Sequence, residues 1–264
     1  MDDEGARADD ESTGGPRGDL QVVARVAALL RLITPMTPTI GLAEATEGLG
    51  PGVGKSTAHR YLNSLEYHGI LKRVEGTRFT LGPLADQIGA LAMTRWRLSE
   101  VAAPVMRDLA GSARQTVVLS VWGGMGPVIT RVTEDESQVV HISVRAGSTL
   151  PFESAQGLVF LAHLSDVRVQ ETLARSIPAT RLEQLRAELE AVRRNGIASY
   201  EQVVAGIRAI SVPVFDRDGQ ITAALAMVGT LNSIPADINS GPGQALRGAG
   251  EQLTRFLQGE SSGH

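Results

Sequence analysis

The chain has 264 residues, 42% hydrophobic and 20% charged, a globular composition long enough for one large domain or two small ones. It has no cysteine, which excludes a disulfide framework and a thiolate metal site. No apolar run approaches the ~20 residues of a membrane helix, and the acidic N-terminus has no apolar signal core, so a soluble cytoplasmic protein is expected. The net charge of −4 is unevenly spread. Residues 1–19 carry seven acids and two Arg, residues 20–82 carry seven Lys/Arg and four acids, and residues 83–264 carry sixteen Arg and eighteen acids. The basic excess sits in the middle segment, where contacts to nucleic-acid phosphates would need it.

Residues 1–19 read as a disordered acidic tail. Val22, Val26, Leu29, Leu30 and Ile33 recur at helical spacing and predict a helix over 20–33, ended by Thr34-Pro35-Met36-Thr37-Pro38. A second short helix is expected from Ile40 to Glu47, with Leu42 and Ala43 inward. A Gly-rich turn, Gly48 to Gly54, leads to a third helix with Ala58, Tyr61, Leu62 and Leu65 on its apolar stripe. Lys55-Ser56-Thr57 form its polar start, where a hydroxyl would cap the first turn. Ser56, Thr57, His59, Arg60 and Asn63 are left on the outer face. After His68-Gly69, the segments Ile70–Val74 and Thr77–Leu81 flank the turn Glu75-Gly76 as a short hairpin carrying Lys72, Arg73 and Arg78. Three helices followed by a basic hairpin make a winged helix-turn-helix over 20–82: one helix fits a major groove and the wing lies over the neighbouring backbone. Arg60 and Asn63 are the expected base-edge contacts. Lys55, Ser56, Thr57 and His59 lie near the helix start, within reach of phosphates or bases. Arg78, with Lys72 and Arg73, is expected on backbone phosphate.

The string GPGVGKST needs a separate test, because it approximates a phosphate-binding loop. That pattern requires Gly five positions before Gly54, and Leu49 stands there; it also requires a preceding strand, where Leu42–Thr46 has a helical pattern. The alternative that the chain is a small-molecule enzyme with a nucleotide-binding loop rests on this string alone. Ser154, His163 and Asp166 do not make a nucleophile elbow either, since Phe152 and Gln156 occupy the positions that need Gly. The five His residues share no metal-ligand spacing. No catalytic residue, metal or cofactor is expected.

Residues 83–98 predict a linker helix, with Leu84, Ile88, Leu91 and Ala92 on an apolar face and Trp96 beyond, suited to packing on a partner copy. A helix from Ser99 to about Ala113 opens the second domain, 99–264. Strands follow at Thr116–Trp122, Pro127–Thr133 and Gln138–Arg145. Helices are expected at Ser154–His163, Asp166–Arg175 and Arg181–Asn195. Strands Ile207–Phe215 and Ile221–Val228 are joined by the turn Asp216 to Gly219, and a helix over Gly243–Leu257 closes the chain. Hairpins interleaved with helices predict an α+β domain with helices packed on an antiparallel sheet. Ser154 is expected to cap its helix and present N–H groups to an anionic ligand.

The ordered chain, about residues 20–258, resembles the IclR family of bacterial transcription regulators. The resemblance rests on Lys55–Leu62 with Leu65 and Gly69, on Phe79-Thr80-Leu81-Gly82, on Pro151–Gly157, on Arg194–Glu201, and on Gly206–Asp216 with Gly219. It implies an N-terminal winged helix, a linker helix used in dimerisation, and a C-terminal GAF-like effector domain. It further implies a homodimer or homotetramer on double-stranded operator DNA, repressing or activating in response to a small organic acid. The effector pocket is expected from the sheet and the 147–157 loop, with Gly147, Ser154, Ala155 and Gly157, plus Gly206 and Ser211. Apolar walls are expected from Val140, Ile142, Ile210 and Val212. The chain departs from the family pattern in the longer turn Gly50–Gly54 and in Leu158, where a basic residue is frequent.

Overall fold

The computed structural model describes residues 20–94, 97–135, 144–165, 177–202 and 206–259. The acidic tail 1–19, Trp96, most of the expected strand Gln138–Arg145 with Val140, His141 and Ile142, and the expected helix Asp166–Arg175 fall outside these residues. The chain divides into two compact units, Met1–Ile88 and Gly89–His264.

In the first unit, α1 (Gln21–Arg31), α2 (Leu42–Gly48) and α3 (Lys55–Tyr67) precede a two-stranded antiparallel wing, β1 (Leu71–Arg73) and β2 (Phe79–Leu81). The apolar stripes converge on one core of Leu29, Ile40, Ala45, Leu49, Ala58, Leu62, Leu65, Leu71 and Phe79. Three local expectations are corrected. Ile40 does not start α2; it exchanges both backbone hydrogen bonds with Phe79, at 2.8 Å each, and so extends the wing by one residue pair. Because α2 then begins at Leu42, the helical period turns Ala45 inward and Ala43 outward. Val22 is 59% exposed, one turn before the stripe meets the core at Val26 and Leu29. At Gly82 the chain passes so close to the wing base that a Cβ would stand 2.5 Å from the Gly69 carbonyl oxygen, so only glycine fits.

Beyond the wing, α4 (Pro83–Thr94) leaves Leu84 and Ile88 exposed. A new helix, α5 (Arg97–Ala113), starts two residues before the expected Ser99. The second unit holds α5 and a five-stranded antiparallel sheet. Its strands are β3 (Thr116–Trp122), β4 (Pro127–Thr133), β5 (Ala198–Gln202), β6 (Ile207–Phe215) and β7 (Ile221–Thr230), in spatial order β4-β3-β7-β6-β5. β5 has no counterpart in the sequence reading. Four of its five residues are exposed, as suits an edge strand, so it lacks the alternation that marks a half-buried one.

Strand periodicity sorts the sheet's side chains between two layers. Val117, Leu119, Ile210, Val212, Val214, Leu225 and Met227 share one face, packed under α5 and the closing helix α8 (Gly241–Gln258). Val118, Ala224 and Ala226 take the other face, beneath α6 (Ala155–His163) and α7 (Ala179–Asn195) or beside Ile129 and Leu150. Each layer has a buried apolar centre: Leu225 and Phe160 are fully buried. Truncating residues of that kind typically costs about 2–5 kcal/mol.

Candidate DNA-binding surface and ligand pocket

Helix α3 is capped by the backbone of Gly54 in extended conformation, with no side-chain capping bond. The expected hydroxyl cap is thereby corrected: Ser56 and Thr57 lie in the first turn, not before it. Their hydroxyls are not committed to closing the helix. With Ala58, Leu62 and Leu65 buried, the helical period turns Lys55, Ser56, His59 and Arg60 to solvent and leaves Thr57 and Asn63 half-buried. Gly50 and Gly52 adopt left-handed φ of 88° and 85° in the turn before α3. That turn follows helix α2, so the strand a nucleotide-binding loop needs is absent at this point.

The basic residues of this face divide into two kinds. Arg73 is folded back from β1: it pairs with Glu66 at 2.8 Å, donates to Asn63 Oδ1 at 3.2 Å and covers the Phe79 ring at 4.5 Å. The hydrogen bond from Arg73 to Glu66 holds the Glu66 carboxyl below its usual range. Asn63 also contacts His59 Nδ1 at 3.3 Å. Arg78 leaves β2 for the domain body, donating to Thr39 Oγ1 at 2.8 Å and Thr39 O at 2.7 Å and pairing with Glu44 at 2.9 Å. A bond to its own backbone N–H, and next the Arg78 guanidinium, hold Glu44 below the usual carboxylate range. Arg73 and Arg78, read from sequence as phosphate contacts, thus have their charge balanced by internal carboxylates. Lys55, Arg60 and Lys72 are exposed and have no ion pair among the described residues. Arg25 of α1 was missed by the sequence reading. It joins Arg60, Thr57 and Tyr61 around a groove of about 440 Å³, and only the packing of α1 against α3 reveals it.

In the second unit, a cavity of about 360 Å³ lies between the start of α6 and strands β3, β5, β6 and β7. The loop before α6 is fixed at both ends. Leu150 donates to Pro127 O at 2.8 Å, and Arg181 of α7 bridges Glu153 and Glu188 at 2.8 and 2.7 Å. Ser154 is the N-cap of α6: its hydroxyl accepts from Gly157 N–H at 3.1 Å and donates to Pro151 O at 2.7 Å. The Ala155 and Gln156 N–H groups are first-turn donors without a helical acceptor, and both residues line the cavity. Gln156 is 3% exposed and donates to the buried Ser120 hydroxyl at 3.4 Å, leaving its amide oxygen and second N–H uncommitted. Val118, Leu150, Ile207 and Val228 form apolar walls, and Tyr200 and Gln202 come from β5. No charged side chain lines the cavity among the described residues.

Of the residues expected at the effector site, Ser154 and Ala155 are on this wall and the other four are not. Gly147 turns with φ 86° and donates to Ile129 O. Gly157 packs directly on the Phe152 backbone, where a Cβ would collide with the carbonyl. Gly206 accepts from Leu231 N–H at 3.0 Å. Ser211 is fully buried and donates to Leu225 O at 3.1 Å. Ile210 and Val212 belong to the opposite face of the sheet. Ser154 and His163 stand at opposite ends of α6, about 13 Å apart at ~1.5 Å per residue, so they form no catalytic pair. No group of three or more His, Asp or Glu able to hold a metal occurs among the described residues. No described helix is long and apolar enough to cross a membrane.

Comparison with known proteins agrees with this geometry. The family model described as IclR helix-turn-helix domain matches residues 22–75, and that described as bacterial transcriptional regulator IclR C-terminal matches residues 90–255. The chain is 28% identical over 236 residues to the HTH-type transcriptional regulator TtgV of Pseudomonas putida, covering 85% of this chain and 88% of that one. It is 32% identical over 206 residues to an HTH-type transcriptional regulator of Mycobacterium tuberculosis, covering 73% of this chain and 76% of its relative. A putative IclR transcriptional regulator from Silicibacter superposes with a TM-score of 0.77 at 26% identity, over 90% of this chain and 96% of that one. An IclR homologue from Microbacterium hydrocarbonoxydans, solved as a complex with 4-hydroxybenzoate, has the same fold, with a TM-score of 0.67 at 24% identity over 90% and 99% of the two chains. These relatives are transcription regulators and not enzymes, which removes the nucleotide-loop enzyme reading.

Proposed function

The chain belongs to the IclR family of bacterial transcription regulators, and on that premise we propose that it is a ligand-responsive switch on an operator in double-stranded DNA. Helix α3 enters the major groove, with Arg60 reading base edges. Lys55, Ser56, Thr57 and His59 hold the backbone or neighbouring bases, and Lys72 holds phosphate from the wing. Asn63, between His59 and Arg73, orients those two side chains and reaches base edges from the same row. The observation that carries this reading is the exposed, internally uncommitted Arg60 on a helix whose other face is fully packed.

The effector is a small organic acid with an apolar body, bound in the cavity beside α6. Its carboxylate meets the Ala155 and Gln156 N–H groups and the Gln156 amide, where a helix N-terminus favours negative charge. Residues 20–82 are the DNA-binding domain and 99–264 the effector domain. Residues 83–98 are the dimerisation linker, which joins them in sequence and carries the signal. The protein works in the cytoplasm as a homodimer or homotetramer, placing recognition helices about one helical turn, ~34 Å, or a multiple apart. A coupling of about 1–3 kcal/mol between the sites changes operator affinity 5- to 150-fold.

The test selects the operator from genomic DNA with the full chain and screens small carboxylic acids for a shift in melting temperature. Each stabilising acid is then titrated into the protein–operator complex. A changed operator affinity supports the switch, whereas a bound acid that leaves it within twofold refutes it.

A further inference from the structure

A second concave site in the effector unit lies away from the α6 cavity. Its groove, about 520 Å³, runs between the end of α7, strand β6 and helix α8, and among the described residues is lined by Arg193, Arg194, Arg247 and Arg255 with a single carboxylate, Glu251. Four guanidiniums against one carboxylate leave a formal excess of three positive charges, although residues 83–264 as a whole are net acidic.

A bland role accounts for part of the set. Arg193 donates its Nε–H to Ala162 O at the end of α6, and Arg247 donates to Asn195 O at 2.9 Å and Ile238 O at 2.8 Å. The bonds to Ala162 O and Asn195 O satisfy carbonyls at helix ends, the bond to Ile238 O one in the turn before α8, and Asn195 O is then no longer a bare negative terminus facing the groove. They also fix two guanidiniums while leaving the Arg193 terminal NH₂ groups uncommitted. The other two arginines have no such duty. Arg194 approaches Glu190 only at 3.9 Å with both side chains over 60% exposed, a pairing of little value. Arg255 and Glu251 have no ion pair among the described residues. Along the outer edge of β6, pairing with β5 ends at Ser211, so Pro213 and Phe215 form an uncovered apolar floor. The Phe215 ring packs edge-on to His163 at 5.1 Å, and the Phe215 N–H is held by Thr254 Oγ1 at 3.2 Å.

We propose that this groove is a second ligand site, which takes a small phosphorylated metabolite. Its phosphate lies among Arg193, Arg194, Arg247 and Arg255 and its organic part rests on Pro213 and Phe215. Guanidinium forks match phosphate oxygens two at a time, and several of them around one cavity favour a dianion over a monocarboxylate. The α6 cavity, with no charged side chain on its wall among the described residues, has the opposite preference.

Calorimetry at low ionic strength on the full-length protein tests this with three probes: phenyl phosphate, inorganic phosphate, and benzyl alcohol. Phenyl phosphate should bind one site per chain, more tightly than inorganic phosphate, while benzyl alcohol alone should not bind there. The double variant Arg194→Glu, Arg255→Glu changes two exposed side chains and should raise the phenyl phosphate dissociation constant at least tenfold, a loss of ~1.4 kcal/mol. Gln156→Leu in the α6 cavity should leave that constant unchanged. Absence of saturable binding overturns the proposal, as does equal affinity in the double variant. So does loss in Gln156→Leu, which would place the phosphate in the α6 cavity. If phenyl phosphate does not bind and the double variant instead weakens DNA binding, the groove contacts nucleic-acid backbone and the small-ligand assignment is wrong.

Discussion

Arg60 is an exposed and Arg78 a half-buried arginine of the winged-helix unit, and their surroundings predict different losses on replacement by alanine. Arg60 has no internal ion pair or hydrogen bond among the described residues, so Arg60→Ala should change folding stability by no more than about 0.5 kcal/mol, as for most surface substitutions. Its loss should fall on recognition, where an Arg–guanine contact is worth about 1–3 kcal/mol of discrimination. Arg78 is bound by Thr39 Oγ1 and Thr39 O and by a salt bridge to Glu44. The two hydrogen bonds contribute about 0.5–1.5 kcal/mol each. The ion pair, whose side chains are 43% and 41% exposed, adds little. Arg78→Ala should therefore destabilise the winged-helix unit by about 1–3 kcal/mol and lower its melting temperature, weakening DNA binding through a smaller folded fraction. Fluorescence anisotropy on operator and random duplexes, paired with thermal melts, separates the two cases. Arg60→Ala should lose operator affinity while keeping random-sequence affinity and melting temperature. Equal loss on both duplexes removes its base-reading role. An Arg78→Ala protein that melts like wild type but loses binding to all DNA would show that its bonds to Thr39 and Glu44 open for phosphate.

Three further outcomes follow from the effector unit. Gln156→Leu keeps side-chain volume but removes the amide from the cavity, so a carboxylic acid that raises the wild-type melting temperature should lose most of that shift; an unchanged shift refutes the amide's role. Gly157→Ala should cost about 1–3 kcal/mol of stability, because the new Cβ meets the Phe152 backbone, which cannot move as a flexible side chain would; a melt equal to wild type refutes the close packing. The His163 pKa is depressed by burial and then by the nearby Arg193 charge. The unfolded state therefore binds more protons as pH falls below about 6.5, and stability present at neutral pH is lost on acidification. Melts at about pH 7.5 and pH 5.5 should show a smaller acid-induced drop in His163→Gln than in wild type, and equal drops would assign the sensitivity to other groups.

Much of the fold was legible because burial follows the period of the element. The i, i+3, i+4 and i+7 spacing of Ala58, Tyr61, Leu62 and Leu65 places α3 on the core. Strands β3, β4 and β6 fall at the residues where apolar alternation and turn residues bound them. What the sequence hid was non-local. Ile40 looks helical in isolation, and only the partner strand at Phe79 makes it a wing residue. β5 exists because β6 offers it an edge, and its own polar residues carry no strand signature.

The site was less legible for a related reason. A strand's alternation shows that Ile210 and Val212 share a face, but not whether that face meets two helices or a cavity. α5 and α8 cover that phase of β6, so the ligand wall falls to the opposite phase, represented by Ile207 and Ala209. The glycines of the quoted motifs stand near the cavity because they let the backbone turn or approach closely. The side chains that bound the cavity are their less conspicuous neighbours, Gln156 next to Gly157 and Ile207 next to Gly206. The basic residues of the wing follow the same logic in reverse. Arg73 and Arg78 look like phosphate contacts until Glu66 and Glu44, seven and thirty-four positions away, are brought within 3 Å of them. A cation in a DNA-binding motif is available to DNA only when the fold has not already supplied its anion. By that criterion Lys55, Arg60 and Lys72 are the charges on which the proposed operator grip depends.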